Sequence, residues 1–364
     1  MAANPAPLRI ALDATPLTEP SGGIARYTRE LSAALAAEFP QDQYWLLSDQ
    51  VWEGTPPGVL RGEQRKGPLG RRWWSLGLPR ELARIGADAF HGTDFAVPYV
   101  PLRPSVLTLH DLSPWRSGPE RAERAGRIRR RTPLALRAAT MVVTPSEAVR
   151  QEAIERFRLA PSRVAAVPLA AGVEFGPRSA REIQPTLARL GVRQPYVLFV
   201  GTRERRKNLV RLVEAWREAR RAWRDLGLVV GGRAGSESLS EEPGLVLTGL
   251  LPDADVAALM AGAALFVYPS LYEGFGLPVL EAMQTGTPVV ISRDPALVEV
   301  AAGAAVTAAA ESAAELARAI VDLMGDPARR RELGERGMRR AADFSWRQTA
   351  IRTREVYVEA LRQF

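Results

Sequence analysis

The sequence predicts an α/β protein built from two doubly wound domains that face each other across a cleft. Short runs of β-branched and other apolar residues alternate with segments of helical periodicity along most of the chain. Each run after the first is reached across a helical segment, which is typical of parallel sheets covered by helices on both faces. With 364 residues, 46% of them hydrophobic, the chain is long enough to bury two cores.

The first half of the chain contains the first set of strands. The runs that predict them are LRIALDA (8–14), QYWLLSD (43–49), SVLTLHD (105–111) and TMVVTPS (140–146). Two segments between or after them, IARYTRELSAALAAEF (24–39) and PSEAVRQEAIERF (145–157), have the periodicity of amphipathic helices. Ser146 is a favourable N-cap for the second of these helices.

An irregular stretch separates the two halves. Four prolines occur from Pro168 to Pro195 inclusive, and the alternation stops in this stretch. We therefore expect the first domain to comprise residues 1–177 and the second 190–345, with 178–189 as the linker. The predicted strands of the second domain are residues 196–202, 226–232, 244–249, 264–270 and 287–292.

Composition narrows the class of protein. Cysteine is absent, so disulfides and thiolate metal sites are excluded. No apolar run approaches the roughly 20 residues that span a bilayer, and the N-terminal residues do not resemble a secretory signal, so we expect a cytoplasmic protein. The net charge is +8 and only two lysines occur, Lys66 and Lys207. The arginines are scattered over the predicted helices, which argues against the alternative of a nucleic-acid-binding protein.

The segment SLYEGFGLPVLEAMQTGTPVV (270–290) contains two glutamates in an otherwise nearly uncharged stretch. Glu273 lies in a loop after a strand, and Glu281 lies about one turn inside the following helix. Gly274 and Gly276 let backbone N–H groups approach a ligand, and the helix N-terminus favours an anion such as phosphate. Glu281 suits a vicinal diol such as ribose, and Glu273 suits the hydroxyls of a second sugar. The alternative is a capping acid and an exposed helix acid.

Two further loops follow predicted strands. In VLFVGTRERRKNLVRLVEAW (197–216) a strand ends at Gly201, a basic loop follows, and a helix begins near Asn208, a favourable N-cap. This loop is either an anion site or a solvated basic loop. In DATPLTEPSGGIARYTREL (13–31) the pair Gly22 and Gly23 precedes a helix. The pair is not G-x-G-x-x-G and no acid follows at the dinucleotide spacing, so a nicotinamide-dependent oxidoreductase is a poor interpretation.

Both histidines lie at predicted strand ends. His91 is in DAFHGTDFAVP and His110 in VLTLHDLSP. A histidine at such a position is either a structural residue or part of a site at the strand ends. We expect Asp111 to orient the loop that follows His110.

The glutamate segment resembles a known family. EGFGLPVLEA, continuing into GTPVVIS, is similar to the EX7E motif of the retaining glycosyltransferases of family 4, whose GT-B fold consists of two Rossmann-like domains. FSWRQTAIRTREVYVEAL (344–361) resembles the family's C-terminal helix, which crosses back to the N-terminal domain. The resemblance therefore assigns residues 346–364 to the first domain.

The resemblance implies a retaining transfer of a sugar from a nucleoside diphosphate sugar to a hydroxyl of a glycan or a lipid-linked glycan. GDP-mannose is the first expectation for the donor and a UDP-sugar the second. A nucleotide-sugar epimerase of the same fold is the nearer alternative. No metal and no cofactor are expected.

The resemblance also implies roles for individual residues. Lys207 and Arg206 are expected to contact the donor diphosphate, with Arg203 or Arg205 as alternatives because Thr202 stands where many members have arginine. Glu281 would bind ribose, Glu273 the transferred sugar, and His110 would lie beside that sugar, with His91 a weaker candidate. The segment Gly274, Phe275, Gly276 and Leu277 would hold sugar and phosphate. Gly201 and Thr202, which follow the strand, are also expected at the site, and Leu251 is expected near the base. Gly22 and Gly23 are expected near the diphosphate and the acceptor.

Two other features have competing interpretations. Asp253-Ala254-Asp255 looks like a metal-binding D-x-D, but it directly precedes a helical run. Asp253 is therefore expected to cap that helix, and Asp255 to interact favourably with the positive end of the helix dipole.

The basic stretch 121–139 would contact an anionic membrane surface, at the inner face of the membrane, or a phosphate-bearing lipid acceptor. The alternative for this stretch is a solvated arginine face.

Overall fold

The computed structural model describes residues 6–19, 22–63, 70, 72–98, 100–116 and 122–364. Lys66 and Arg121 lie outside the described residues, as do the side chains of residues 122–124. The chain forms two compact units, one made of Met1–Leu169 with Ser345–Phe364 and the other of Ala170–Phe344.

The first unit contains one parallel sheet. Its strands are β1 Arg9–Asp13, β2 Gln43–Leu47, β3 Leu60–Arg61, β4 Ala89–Gly92, β5 Ser105–Thr108, β6 Met141–Thr144 and β7 Val164–Ala166. They lie in the order β3-β2-β1-β4-β5-β6-β7, and β4, β5 and β6 are buried along their whole length because helices cover the sheet. The helices described in this unit are α1 Gly23–Glu38, α2 Leu78–Ile85, α3 Ala122–Ala138, α4 Glu147–Phe157 and α12 Trp346–Gln363.

The second unit repeats the architecture with different residues. Its strands are β8 Tyr196–Val200, β9 Gly227–Gly231, β10 Leu245–Gly249, β11 Leu265–Tyr268, β12 Val289–Ser292 and β13 Val306–Ala308, all parallel and in the order β10-β9-β8-β11-β12-β13. Its helices are α5 Ala180–Arg189, α6 Leu209–Ala219, α7 Asp253–Gly262, α8 Leu277–Gln284, α9 Pro295–Ala301, α10 Ala313–Gly325 and α11 Pro327–Ala341.

Strand order places a switch point in each sheet. The chain runs outward from β1 to β3 and then returns to the other side of β1 with β4, and it does the same from β8 to β10 and then β11. In open parallel sheets, ligands bind beyond the carboxyl ends of the two strands at such a reversal. A site is therefore expected at the loops after β1 and β4 in the first unit and after β8 and β11 in the second.

The structure confirms the predicted α/β class and the predicted central strands, and it adds short ones. The central strand β4, Ala89–Gly92, was not among the predicted runs, since His91 and Gly92 interrupt its apolar character. Leu60–Arg61, Val164–Ala166 and Val306–Ala308 were also not predicted. All three lie at sheet edges, where a strand of two or three residues needs no continuous apolar run. Ser146 caps α4 as expected, because its hydroxyl accepts a hydrogen bond from the Val149 amide at 3.2 Å.

The predicted linker needs correction. Residues 178–189 contain helix α5, which begins with a capping box formed by Ser179 and Glu182. Ile183 and Leu187 are buried, and α5 packs against α7 within the second unit. Pro185, one of the prolines that suggested irregular structure, lies inside this helix. The division between the units falls instead at Leu169 and Ala170.

The C-terminal helix α12 belongs to the first unit, as the resemblance implied. It packs against α1 and contacts β4, β5 and β6. Buried Arg354 binds buried Asp42, with 2.6 Å between Nε and Oδ2. In the described part of the chain, none of the helices has the length and apolar character required to traverse a bilayer.

Candidate functional site

In the second unit, the loops after β8 and β11 bring three charged side chains together at the switch point. The Glu273 carboxylate lies between two cations, with Oε1 2.6 Å from Lys207 Nζ and Oε2 2.9 Å from an Arg206 guanidinium nitrogen. Arg206 also donates to the Tyr272 carbonyl at 2.9 Å, and the Leu271 amide donates to the Arg206 carbonyl at 2.8 Å. Residues far apart in sequence are thus fixed in one cluster.

Burial makes this cluster electrostatically strong. Lys207 and Glu273 are each 8% exposed, and charges interact more strongly in a medium of low dielectric constant than in water. Burial alone would raise the pKa of the Glu273 carboxyl, but the charges of Arg206 and Lys207 outweigh it and lower that pKa to about 2. Burial lowers the pKa of the Lys207 ammonium, and Glu273 opposes this shift. Two further carboxylates border the cluster, because Glu204 lies 4.0 Å from an Arg206 guanidinium nitrogen and Asp294 accepts from the Glu273 amide.

Two residues of this cluster were not predicted from the sequence. The Tyr268 hydroxyl accepts a hydrogen bond from Lys207 Nζ. Asp294 accepts from the Glu273 amide at 3.3 Å through Oδ2, and through Oδ1 it caps α9 by accepting from the amides of Ala296 and Leu297. Burial raises the pKa of Asp294 to about 6. Asp294 directly precedes Pro295, which is a helix-start signal that could have identified it.

The loop containing Gly276 leads directly into α8. Gly276 has a φ of 101°, and a Cβ there would lie 2.4 Å from Leu297 Cδ2, so both the backbone conformation and the space require glycine. Leu277 begins α8, and the amides of Val279 and Leu280 in its first turns donate to the Gly276 carbonyl at 2.9 and 3.2 Å. The Phe275 ring packs edge-on against Phe344 at 5.9 Å, so its side chain is structural and only its backbone remains a candidate for ligand contact.

Glu281 lies on α8 and is 3% exposed. The alternative of an exposed helix acid is therefore wrong. Gly274 lies in the loop between β11 and α8, in the same segment as Glu273. A buried carboxylate on the first helix after the switch point is a suitable acceptor for ligand hydroxyl groups.

The loop after β8 has a different geometry from the one predicted. Asn208 does not cap α6 through its side chain; it has a φ of 60°, and its side-chain amide donates to the carbonyls of Pro269 and Ala310 at 3.1 and 2.7 Å. It therefore ties the basic loop to the loop after β11. Gly201 and Thr202 directly follow β8, and the Arg203 amide donates to the Arg233 carbonyl at 3.1 Å.

The segment after β10 holds the remaining predicted residues of this unit. Leu251 is half-buried, two residues beyond the end of β10. Asp253 is the first residue of α7 and the N-cap position is Pro252, so the predicted capping role of Asp253 is wrong. Asp255 lies in the first turn of α7, where its Oδ1 accepts from an Arg189 guanidinium nitrogen at 2.6 Å and from Thr186 at 3.3 Å. In the described part of the chain, no group of three His, Cys, Asp or Glu is arranged to hold a metal ion.

The first unit has polar residues at its own switch point. Gly22, with a φ of 140°, precedes α1, and Gly23 is its first residue. Asp13 ends β1, and its Oδ1 accepts from the Thr15 amide at 3.0 Å and hydroxyl at 2.6 Å. Burial raises the pKa of Asp13 to about 7. Asp13 was not predicted, although a carboxylate directly after a buried strand is a signal for such a position.

His110 and Asp111 follow β5. His110 Nε2 lies 2.7 Å from the Thr93 carbonyl oxygen, which can only accept, so this bond assigns the proton to Nε2 and leaves Nδ1 as an acceptor in the neutral ring. The ring packs edge-on against Tyr27 at 4.9 Å. Asp111 accepts from the Ser113 amide at 2.9 Å and so orients the loop after β5, as expected.

His91 is a structural residue, which corrects its placement among the site candidates. It is fully buried in β4, where Nδ1 lies 2.7 Å from the Tyr357 hydroxyl and Nε2 lies 2.7 Å from the Thr108 hydroxyl. Both ring nitrogens are therefore engaged by protein groups. Burial, together with the nearby His110, lowers the pKa of His91 to about 3, which keeps its ring neutral.

Two family profiles match the chain. The family described as Glycosyl transferases group 1 matches residues 183–340, and Glycosyltransferase Family 4 matches residues 21–175. O-antigen chain mannosyltransferase B from Escherichia coli is 30% identical, over 96% of this chain and 99% of that protein. MMP alpha-(1->4)-mannosyltransferase from Mycolicibacterium hassiacum is 44% identical, over 30% of this chain and 28% of that protein.

Solved structures share the fold. Sucrose-phosphate synthase from Thermosynechococcus elongatus superposes with a TM-score of 0.75 at 21% identity, over 97% of this chain and 98% of that one. HepE from Anabaena, solved in complex with UDP-glucose, gives a TM-score of 0.72 at 18% identity, over 97% and 100% of the two chains. At these identities the similarity concerns the fold alone.

Proposed function

Because this chain belongs to the group 1 glycosyltransferases of family 4, we propose that it moves a sugar from a nucleoside diphosphate sugar to a hydroxyl of an acceptor, with retention of configuration. Its fold is of the GT-B class, with two Rossmann-like sheets, each made of parallel strands. We propose mannose from GDP-mannose as the transferred group, and a glycan or lipid-linked glycan as the acceptor. The full-length similarity to an O-antigen mannosyltransferase supports this choice.

The observation that carries the proposal is the cluster of Lys207, Arg206 and Glu273 at the switch point of the second sheet. The cluster holds two cations at fixed positions, and α8 begins in the same loop with the positive end of its helix dipole. Two cations and a helix N-terminus suit the two negative charges of a diphosphate. The buried carboxylate of Glu281 on the same helix suits the two hydroxyls of a ribose.

The proposed reaction keeps both partners on one face of the sugar. The bond between the anomeric carbon and the donor phosphate oxygen breaks, and the acceptor oxygen forms its bond to the same carbon from the same side. The acceptor's proton passes to the leaving phosphate oxygen. Lys207 and Arg206 stabilise the negative charge that develops on the diphosphate, which is electrostatic catalysis by preorganised donors. Glu273 holds the two cations and presents its oxygens to sugar hydroxyls.

A binding screen followed by product analysis tests the proposal. Unfolding is measured with GDP-mannose, GDP, UDP-glucose and UDP, since a ligand at 100 times its Kd adds about 2.7 kcal/mol of stability. We expect the guanosine compounds to stabilise the protein. The product formed on octyl α-mannoside as probe acceptor should be α-linked. A β-linked product would exclude retention, stabilisation only by the uridine compounds would exclude GDP-mannose, and turnover of the donor to an isomer without acceptor would indicate an epimerase.

The two glutamates are predicted to differ in nucleotide binding. Glu281→Ala removes the ribose contact, so we expect the Kd of the nucleoside diphosphate to rise at least about tenfold, the loss typical of one charged hydrogen bond. Glu273→Ala leaves Lys207 and Arg206 available to the diphosphate, so its Kd should remain near that of the wild type while transfer falls. Isothermal titration of both variants measures this, with melting temperatures to verify folding. An equal loss of affinity in the two variants would contradict these roles.

The reaction is proposed to be independent of a divalent metal. Lys207, Arg206 and the α8 N-terminus supply the positive charge that a metal would otherwise provide, so activity should survive excess EDTA. Asp255 binds Arg189 on the protein surface, so Asp255→Asn should cost about 1 kcal/mol of stability or less and leave the rate within a factor of about two. Activity that disappears in EDTA and returns with Mn²⁺ or Mg²⁺ would show that the metal-independent mechanism is wrong.

A further inference from the structure

The Lys207 ammonium is held by two protein groups. An ammonium has three N–H donors and no acceptor. Two of these donors are directed at protein groups: Glu273 Oε1, 2.6 Å away, and the Tyr268 hydroxyl. One donor then remains for a ligand atom. A lysine side chain is flexible, so the direction of this third donor depends on the two groups that hold the nitrogen.

Tyr268 is itself rigidly placed. It is the last residue of β11 and is fully buried. Its ring stacks on Phe199 of the neighbouring strand β8, with centroids 5.4 Å apart, and on Phe266 of its own strand at 5.7 Å. Burial raises the pKa of Tyr268, so the phenol stays neutral and its oxygen remains an acceptor for the ammonium. The hydroxyl is therefore a fixed point from which the position of Lys207 is set.

We propose that Tyr268 is a positioning residue, whose hydroxyl holds the Lys207 ammonium where charge develops on the leaving diphosphate. The inference rests on the proposed function, because it assigns to Lys207 the diphosphate contact. Glu273 alone does not fix the ammonium, since that carboxylate is shared with Arg206. The Tyr268 ring cannot move without disturbing the stack with Phe199 and Phe266.

The test compares two matched variants. Tyr268→Phe keeps the stacked ring and removes only the hydroxyl. Tyr196→Phe is the control, because Tyr196 is also fully buried in this sheet and its hydroxyl donates to the Leu259 carbonyl at 2.6 Å, without contact to Lys207. Each variant removes one buried tyrosine hydroxyl, so a purely structural effect should appear in both. The readouts are melting temperature, kcat and KM for the donor found in the screen, and the pH dependence of kcat.

We expect kcat to fall about tenfold in Tyr268→Phe with little change in KM, since small misplacements of a catalytic group cost this much or more. Tyr196→Phe should keep kcat within about twofold. Because the hydroxyl accepts from the charged form of Lys207, its removal lowers the pKa of the ammonium. The loss of activity at alkaline pH should therefore begin at lower pH in Tyr268→Phe than in the control.

A double-mutant cycle shows whether Tyr268 acts through Lys207. In the Lys207→Ala background, Tyr268→Phe should lower kcat no further. Equal effects of the two tyrosine variants, an unchanged alkaline limb, or a full additional loss in the Lys207→Ala background would overturn the role of Tyr268. A wild-type protein that releases no nucleotide from any of the nucleotide sugars would overturn the proposed function together with this inference.

Discussion

Replacing Lys207 by alanine is expected to lower turnover by about 10²-fold, the typical loss when one preorganised donor to a developing oxyanion is removed. Lys207 supplies a buried ammonium whose position is fixed by Glu273 and Tyr268. Without it, Glu273 keeps its contact with Arg206, and the diphosphate loses one of the two cations proposed to bind it. The measurement is kcat for nucleoside diphosphate release from the donor found in the screen.

A matched control distinguishes the loss of a positive charge at the site from the loss of a positive charge elsewhere on the protein. Arg211, on α6, lies a few residues beyond Lys207, and its exposed side chain pairs with Glu214 on the same helix. Arg211→Ala should leave kcat within about twofold, because an exposed pair contributes little. Lys207→Met keeps most of the buried side-chain volume and should lose as much activity as Lys207→Ala. Indistinguishable rates for Lys207→Ala and Arg211→Ala would remove Lys207 from the proposed mechanism.

Most strands with a continuous apolar run could be predicted from the sequence, including the edge strand β10, whereas the shortest edge strands and the central strand β4 could not. Central strands such as β5 and β11 are buried on both faces and must therefore be continuous apolar runs, and such runs are visible in the sequence. The edge strand β3 has only two residues, both exposed, and follows no such requirement. Helix α5 was missed because Pro185 argues locally against a helix, while burial of Ile183 and Leu187 stabilises one.

The same distinction applies to the candidate site. The loops holding Glu273 and Lys207 could be identified because glycines, a proline and charged residues follow apolar runs. The contact between those two side chains depends on β8 and β11 being neighbours, which local pattern does not determine. Tyr268 resembles any other aromatic residue of a strand in the sequence. Only the pairing of strands shows that its hydroxyl reaches Lys207.

His91 and His110 show where sequence reasoning reaches its limit. Both follow apolar residues, and both could equally belong to a site or to a core. His91 is structural because the Tyr357 hydroxyl, from the far end of the chain, occupies its Nδ1. Such a partner is defined only once α12 packs on the first sheet.

Arg354→Ala is expected to lower the free energy of unfolding of the first unit by about 3–5 kcal/mol, because it leaves a buried carboxylate without its cation. Asp42 accepts from both Arg354 Nε at 2.6 Å and Arg354 Nη2 at 3.2 Å, and also from the Leu8 amide and the Tyr44 hydroxyl. The two neutral donors do not replace the lost positive charge. The ion pair joins α12 to the segments that begin β1 and β2. Its loss should therefore lower the melting temperature by roughly 10 °C for a unit of this size, which thermal unfolding measures.

The first unit contains the control for this prediction on the same helix. Arg347 also pairs with a carboxylate, Glu38, at 2.7 Å, but the arginine side chain is 69% exposed. Arg347→Ala should therefore cost about 0–1 kcal/mol, since water screens the pair and solvates the partner that remains. In the Arg354→Ala protein, Asp42→Asn removes the uncompensated charge while its side-chain oxygen can still accept from Leu8, so part of the lost stability should return. Equal melting temperatures for the two arginine variants would mean that the buried pair does not hold α12 in place.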